Sequence, residues 1–370
     1  MKYDVVVFGG CSLDQTFYET KEKKYNDSPD VVSPGGKGSN QAVAAAKAGA
    51  KTAMISRVGN DAIGDKIIDN LRTFNIDTHC VEVEDGLAND YSNIYINLDD
   101  KDNNIERFSG AINSFTPDMI ERYKDVILNS RIVVCQLKVP KEVTIELINF
   151  CHKHNKTLIL TPCRPEKLSL KDESNLELID KISYITCNKK ECETIFGTDN
   201  IEECVSRYPN KLIVTLGKDG LMYHDGTKVV HMPAIKVDVV DTTGAGDTLC
   251  GNLSAFLSQG MNLKSALRKA MYAATMKLTQ KSAQAGMPYL ADLEAFIAER
   301  RSKTARYYEK LREDLLATKK AILNTKRRIT ALREKTAAVI ATDTYVAINN
   351  LLDEIRAEST KYNPSRNLVV

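Results

Sequence analysis

A carboxylate stands directly behind a glycine turn in Asp241-Thr242-Thr243-Gly244-Ala245-Gly246-Asp247-Thr248. A strand-like run from Ile235 to Val240 leads into the turn, and an apolar helix from Leu249 to Leu257 follows it. Backbone N–H groups of such a turn converge on the helix N-terminus, where the macrodipole is positive, and form an anion hole. A bare carboxylate beside a phosphate site is electrostatically odd unless it takes a proton or holds a metal. The pattern points to phosphoryl transfer. Asp247 would be the base that activates a hydroxyl, and Gly244, Ala245 and Gly246 would hold the developing charge. The simpler alternative is an aspartate capping a helix after a flexible turn.

A second glycine-rich stretch, Pro34-Gly35-Gly36-Lys37-Gly38-Ser39-Asn40-Gln41, also opens a helix. Gly38 follows Lys37 where a Walker A loop needs Ser or Thr, and the spacing is not a dinucleotide fingerprint either. The glycines let the backbone approach a ligand closely. Asn40 offers a donor and an acceptor at the helix start, which suits a polyhydroxylated ligand. A plain turn before a helix is the alternative.

These stretches need a scaffold, and 370 residues suffice for one large α/β domain plus an appendage, or for two domains. A net charge of +2 excludes a general polyanion binder. The nine cysteines lack paired zinc-site spacing and read as reduced thiols of a cytoplasmic protein. The N-terminus reads as a first strand and not a signal peptide, and no stretch is apolar enough to span a membrane. Strand and helix patterns alternate to about residue 298. Tyr3–Gly10, Thr52–Val58, Arg131–Leu137, Thr157–Thr161, Tyr184–Cys187 and Leu212–Leu216 read as strands. Asn40–Ala48, Asp61–Asn75, the segment from Pro140, Lys189–Phe196 and Glu202–Tyr208 read as helices. The pattern predicts a mostly parallel sheet with helices on both faces. Thr16–Val32 and Tyr91–Phe108 break the rhythm as polar, alternating strands. They predict a small antiparallel flap that closes on a ligand at the sheet edge. Such a flap buries little apolar area alone, so a second copy is expected against it, through Phe17, Tyr91, Ile94 and Tyr95.

Residues 299–360 change character and are rich in Lys, Arg, Glu, Ala and Leu. Leu315, Ile322 and Ile329 recur every seventh residue. Leu311, Leu332, Val339 and Val346 share the companion position, with Thr318 and Thr325 between them. This predicts a long amphipathic helix, broken near Thr342–Asp343 into a hairpin, that could engage a partner helix. Lys319, Lys320, Lys326, Arg327 and Arg328 read as a solvated face rather than a nucleic-acid site.

The two glycine signatures, in this order and about two hundred residues apart, resemble those of the PfkB carbohydrate kinase family, in its ribokinase-like branch. The resemblance covers residues 1 to about 298. It implies a ribokinase-like α/β fold with a β-flap lid, carrying a C-terminal helical extension over 299–370. It also implies ATP, Mg²⁺ and K⁺ as cofactors and a homodimer through the lid. Asp14, Gly36, Lys37, Gly38, Ser39 and Asn40 correspond to the family's sugar-binding positions. Gly110-Ala111-Ile112-Asn113 resembles a further segment near the sugar. Asn188-Lys189-Lys190-Glu191 is similar to an Asn-x-x-Glu motif that organises Mg²⁺ and phosphate through water. Thr215-Leu216-Gly217-Lys218-Asp219-Gly220 resembles the nucleotide loop. Asp241, Thr243, Lys277, Gln280, Ser282 and Gly286 would hold a monovalent cation, mainly through carbonyls.

Two positions depart from the family. Ser12 stands where ribokinases usually carry asparagine, and Lys138 where a glutamate usually nears the sugar. Lys138 reverses the charge, so the acceptor could be an acidic or phosphorylated sugar. The reading that results is ATP-dependent phosphorylation of a sugar hydroxymethyl group, of ribose or a related sugar. Fructose, aldonic-sugar or nucleoside kinases are alternatives within the family. A non-catalytic sugar-binding scaffold that works through the tail is an alternative outside it.

Overall fold

The computed structural model describes residues 1–20, 25, 27–97, 103–336 and 342–361. The chain divides into two compact units, 1–294 and 295–370.

The first unit begins with β1 (Tyr3–Phe8), β2 (Ser12–Glu19), β3 (Val31–Gly35) and α1 (Lys37–Lys47). Next come β4 (Thr52–Gly59), α2 (Ala62–Thr73), β5 (Asp77–Glu84), β6 (Tyr91–Asn97) and β7 (Asn103–Phe108). Two short helices, α3 (Asp118–Arg122) and α4 (Lys124–Leu128), lead to β8 (Ser130–Gln136), α5 (Lys141–Lys153) and β9 (Thr157–Thr161). Then follow α6 (Ser174–Lys181), β10 (Tyr184–Asn188), α7 (Lys189–Phe196), α8 (Ile201–Arg207) and β11 (Leu212–Thr215). The hairpin β12 (Leu221–His224) and β13 (Val229–Met232) precedes α9 (Ala245–Ser258) and α10 (Leu263–Leu278).

Nine strands form one sheet in the order β13-β12-β11-β10-β9-β8-β1-β4-β5. It is parallel except where β12 pairs antiparallel with β11 and β13. The run Val5-Val6-Val7-Phe8 is wholly buried, as befits a central parallel strand covered on both faces. β1 sends its chain to β4 on one side and has β8 on the other, so the crevice outside its C-terminal end is a topological switch point.

The second sheet is the lid, in the order β3-β2-β6-β7. It is mixed rather than antiparallel, because β2 and β6 pair in parallel. Both strands rise from parallel core strands, β1 and β5, so they leave the core in the same direction. β2 and β3 also reach nearer the core than Thr16–Val32, pairing Ser12 with Gly35. Phe17 stacks on Tyr95 with ring centroids 5.2 Å apart, and Tyr91 on Phe108 at 4.5 Å. The lid therefore packs much of its aromatic surface against itself.

Ile235–Val240 is not a strand. Val239 and Val240 are exposed, and the segment is an irregular lead-in tied down where Val240 and Asp241 N–H donate to Leu278 O. Its β-branched residues have no neighbouring strand to pair with.

α11 runs over Leu290–Thr336 and α12 over Thr342–Lys361. Leu293 in the first turn of α11 is buried, whereas Leu311, Leu315 and Leu332 are exposed. The expected break at Thr342–Asp343 falls on the start of α12, and Val339 lies outside the described residues. Among the described residues no helix is long and apolar enough to cross a membrane.

Candidate active site

α1 and α9 place the site. Ala42, Val43, Ala44 and Ala45 are buried on α1, and α9 meets them at Gly251. A Cβ on Gly251 would lie 2.4 Å from Gln41 O, so only glycine permits this approach. The close crossing brings the first turns of both helices together. Asn40 Nδ2 donates to Asp247 Oδ2 at 3.0 Å, and Gln41 Nε2 donates to Asp247 Oδ1 at 2.9 Å.

Asp247 is therefore not a cap. The N-cap of α9 is Gly244, at φ 78°, with no side-chain cap bond, and Asp247 is buried in the first turn with both oxygens turned to α1. An added Cβ on Gly246 would meet nothing within 4 Å, which leaves open space over the helix N-terminus. Ala245 N–H already donates to Thr242 O at 3.2 Å, so the Gly246 and Asp247 N–H groups are the ones left to receive an anion there.

Each amide beside Asp247 is oriented by another. Gln41 Oε1 accepts from Gln136 Nε2 at 2.8 Å, and Asn40 Oδ1 accepts from Gln284 Nε2 at 3.0 Å. Gln284 Oε1 accepts from Asn70 Nδ2 at 2.7 Å, and its backbone carbonyl accepts from Lys47 Nζ at 2.9 Å. These contacts settle which way each amide faces. Gln41, Gln136 and Gln284 are site residues that sequence reasoning missed as such. Gln41 lay inside the quoted 34–41 stretch and Gln284 between the expected cation ligands Ser282 and Gly286, but nothing in their type marked them out.

The glycine signature before α1 serves packing as much as presentation. α1 starts at Lys37, ahead of the expected Asn40, and Gly36 is its N-cap at φ 92°. Gly38 and Ser39 N–H both donate to Gly10 O, so these amides are taken. Ser39 Oγ donates to Gly35 O and to Gly36 O and accepts from Gln284. Ser12 is buried at the root of β2. Lys37 is exposed, and the Asp247 carboxylate raises its ammonium above the ordinary lysine value.

Asp14 lies on β2 with its carboxylate over Gly35, where an added Cβ would be 2.4 Å from Oδ2. Burial raises its carboxyl, against a hydrogen bond from Ser92 and the charges of Lys138 and Arg107. Asp90, at the root of β6, was not foreseen. It is 2 % exposed, its Oδ2 accepts from Ile112 N–H at 2.8 Å, the Gly110 N–H also acts on the carboxyl, and its buried Oδ1 has no well-formed hydrogen bond among the described residues. Burial raises its carboxyl too, again against Lys138. Lys138, half-buried just past β8, thus acts on both carboxylates. Ile112 of the 110–113 segment is tied into the same group.

At the end of β10, Asn188 and Glu191 form a capping box. Asn188 Oδ1 accepts from Glu191 N–H and Glu191 Oε2 from Asn188 N–H, both at 2.9 Å. Burial raises the Glu191 carboxyl, and the charges of Lys37 and Asp247 also act on it. Among the described residues no group of three acidic, His or Cys side chains could hold a metal alone. A Mg²⁺ held through one or two carboxylates, water and substrate phosphates needs no such group. Thr215 ends β11, and Gly217–Asp219 form an exposed single turn closed by Leu216 N–H on Gly220 O. Leu216, Lys218, Asp219 and Gly220 thus sit at the edge of the same sheet end.

The expected monovalent-cation ligands are brought together, but around a side chain. Lys277 is fully buried. Its Nζ donates to Asp241 O at 2.9 Å and Gln280 O at 3.1 Å, with Asp241 Oδ2 at 3.4 Å. The Lys277 carbonyl accepts from Gln280 N–H, and Asp241 also accepts from Thr243 and Ser282 N–H. Gly286 packs against Gln280 and Ser282 O in the same loop. The Lys277 ammonium already occupies three oxygens of this set, Asp241 O, Asp241 Oδ2 and Gln280 O, which leaves them poorly suited to a separate K⁺.

The sequence pattern of pfkB family carbohydrate kinases matches residues 2–290. The chain is 34% identical over 303 residues to a ribokinase of Bacillus subtilis, covering 80% of this chain and 99% of that one. It is 35% identical over 306 residues to a ribokinase of Lactococcus lactis, covering 80% and 97%. The crystal structure of a ribokinase from Thermotoga maritima superposes with a TM-score of 0.69 at 28% identity, covering 80% of this chain and 99% of that one. Two separated glycine signatures, a ribokinase-like sheet and lid, and these similarities agree: the chain belongs to the pfkB family of carbohydrate kinases, phosphotransferases that act on a sugar hydroxyl.

Proposed function

We propose that the chain transfers the terminal phosphoryl group of ATP to the hydroxymethyl group of ribose or a related neutral sugar, with residues 1–298 as the kinase domain and 299–370 as an appended helical segment. One observation carries this reading. The Asp247 carboxylate is buried at the N-terminus of α9, held by Asn40 and Gln41, with open space over Gly246. The ribokinase relatives of Bacillus subtilis and Lactococcus lactis support the choice of sugar.

In this reading Asp247 takes the hydroxyl proton as the sugar oxygen bonds to the γ-phosphorus and the bond to the bridging oxygen of ADP breaks. The Gly246 and Asp247 N–H groups of α9 hold the charge that gathers on the phosphoryl oxygens. Mg²⁺, when bound, neutralises the triphosphate, and Glu191 would hold it through water. Asn188 and Thr215–Gly220 receive the nucleotide. Asn40 must exchange its Asp247 contact for the sugar. Closing the lid excludes water, the competing acceptor.

The acceptor pocket favours a neutral polyol. Asp14 and Asp90 bring a half-buried and a buried carboxyl that can bond sugar hydroxyls, while Lys138, Arg107 and Arg164 balance their charge. The buried Asp90 Oδ1, without a well-formed hydrogen bond among the described residues, also calls for a hydroxyl donor. An intact Asp247 speaks against a silent scaffold. Nine free thiols fit a reducing, cytoplasmic setting. A second copy across the lid belongs to the same reading, with sedimentation at micromolar concentration as its check. A coupled ADP-release assay over pentoses, hexoses, aldonic sugars and nucleosides tests the substrate. Ribose or a close neutral sugar should exceed gluconate and adenosine by about 100-fold in kcat/KM. Preference for an aldonate or a nucleoside would overturn the reading.

A further inference from the structure

We propose that the ammonium of Lys277 is a built-in substitute for a monovalent cation behind the anion hole, so that this kinase works without potassium. The inference rests on the reading of the 244–247 turn as the phosphate site.

Lys277 is the penultimate residue of α10, and its side chain is wholly buried beneath the loop that precedes α9. An ammonium has three donors and no acceptor. Here they face three oxygens: Asp241 O at 2.9 Å, Gln280 O at 3.1 Å and Asp241 Oδ2 at 3.4 Å. The surrounding loops are sewn to that centre. Asp241 Oδ1 accepts from Thr243 N–H at 2.8 Å and Oδ2 from Ser282 N–H at 3.0 Å. Val240 and Asp241 N–H both donate to Leu278 O. Ala283 then packs so closely on Gly244 that an added Cβ would sit 3.0 Å from it. The ammonium thus joins the 240–244 and 279–284 segments directly behind the turn that would receive the γ-phosphate.

A hard monovalent cation held by Asp241 and Gln280 would compete for the same two carbonyls and the same carboxylate. Lys277 brings the same unit charge on a covalent tether. Adding K⁺ beside it would set two positive charges a few ångströms apart, which repel strongly away from bulk water. One buried cation is balanced by Asp241, whereas two would not be.

The test uses the full chain in KCl, NaCl and choline chloride at equal ionic strength. Wild-type turnover and melting temperature should be alike in all three salts. Lys277→Ala empties the site, and it should lose about 10-fold or more of turnover in choline. KCl or ammonium chloride should restore that turnover and raise the melting temperature of the variant, whereas choline should not. Stimulation of the wild type about 10-fold by KCl would overturn the proposal, as would full activity of Lys277→Ala in choline. If Lys277→Ala folds in no salt, the wild-type series decides by itself. The melting-temperature arm needs no substrate, so it reads the cation site even if the proposed sugar is wrong.

Discussion

Asn40 Nδ2 donates to Asp247 Oδ2 at 3.0 Å across 207 positions of sequence, joining the helix of the first glycine signature to the first turn of the second. The two stretches most informative as sequence are therefore one site. The carboxylate that would accept the proton is oriented by the helix that would bind the acceptor.

Gln41 holds the other oxygen of Asp247, and Gln136 orients Gln41 in turn. A hydrogen bond to a charged group is worth about 1.5–3 kcal/mol. Gln41→Leu should lower kcat roughly 10- to 100-fold while sugar and ATP KM stay within a few-fold. Gln41→Glu, which cannot donate and adds a like charge, should not restore it. A rise in KM at unchanged kcat would instead place Gln41 in substrate binding.

Lys138 acts on Asp14 and Asp90 together. Lys138→Glu would gather three carboxylates in the acceptor pocket. The kcat/KM ratio for ribose over gluconate should rise about 10-fold or more. An unchanged acceptor profile would mean that Lys138 serves the surface only.

Burial raises the Asp14 carboxyl above its ordinary value. The folded apo protein therefore takes up this proton at a higher pH than the unfolded chain does. Asp14 thus adds stability as pH falls through that window and gives it up as pH rises. Gripping sugar hydroxyls needs the ionised form. Sugar KM should climb on acidification at a pH above that at which an ordinary aspartate titrates, while ATP KM stays level. Asp14→Asn should abolish that climb. A sugar KM that is flat down to the acid unfolding limit would exclude Asp14 from the pocket.

The appended segment should be separable. Leu293 is buried and Glu294 pairs with Lys269 at 3.0 Å, whereas the α11 leucines at 311, 315 and 332 are exposed. Ending the chain near Arg301 keeps both anchors. Soluble protein with sugar kinase activity within a few-fold of the full chain is expected. Insoluble or inactive protein would make the segment part of the core.

The buried strands were legible because a parallel sheet writes continuous apolar runs, as in Val5–Phe8. Asp61 announced its helix and does cap it, accepting from Ile63 and Gly64 N–H. The run Ile235–Val240 misled because β-branched composition cannot show whether a partner strand is near. The hairpin β12–β13 passed unnoticed because its strands are four residues each. At the site, Asp247 and Asn40 stood out by type and spacing, and Asp14 through the family resemblance. Gln41, Gln136 and Gln284 did not, since a buried amide declares its role only through its neighbours. Lys277 was expected to offer a carbonyl to a cation; what its neighbours could not announce is that its own ammonium reaches Asp241 O and Gln280 O.

The central claim is that Asp247 is the base. Asp247→Asn keeps the shape of the side chain and leaves Gly244 as the helix cap. Turnover with saturating sugar and ATP should fall by ~10²–10⁴-fold, with near wild-type binding of both substrates by calorimetry and a folded protein that melts somewhat lower, because one oxygen that accepts from Asn40 or Gln41 becomes a donor. A folded variant that keeps wild-type kcat would contradict the account and give the proton to another group.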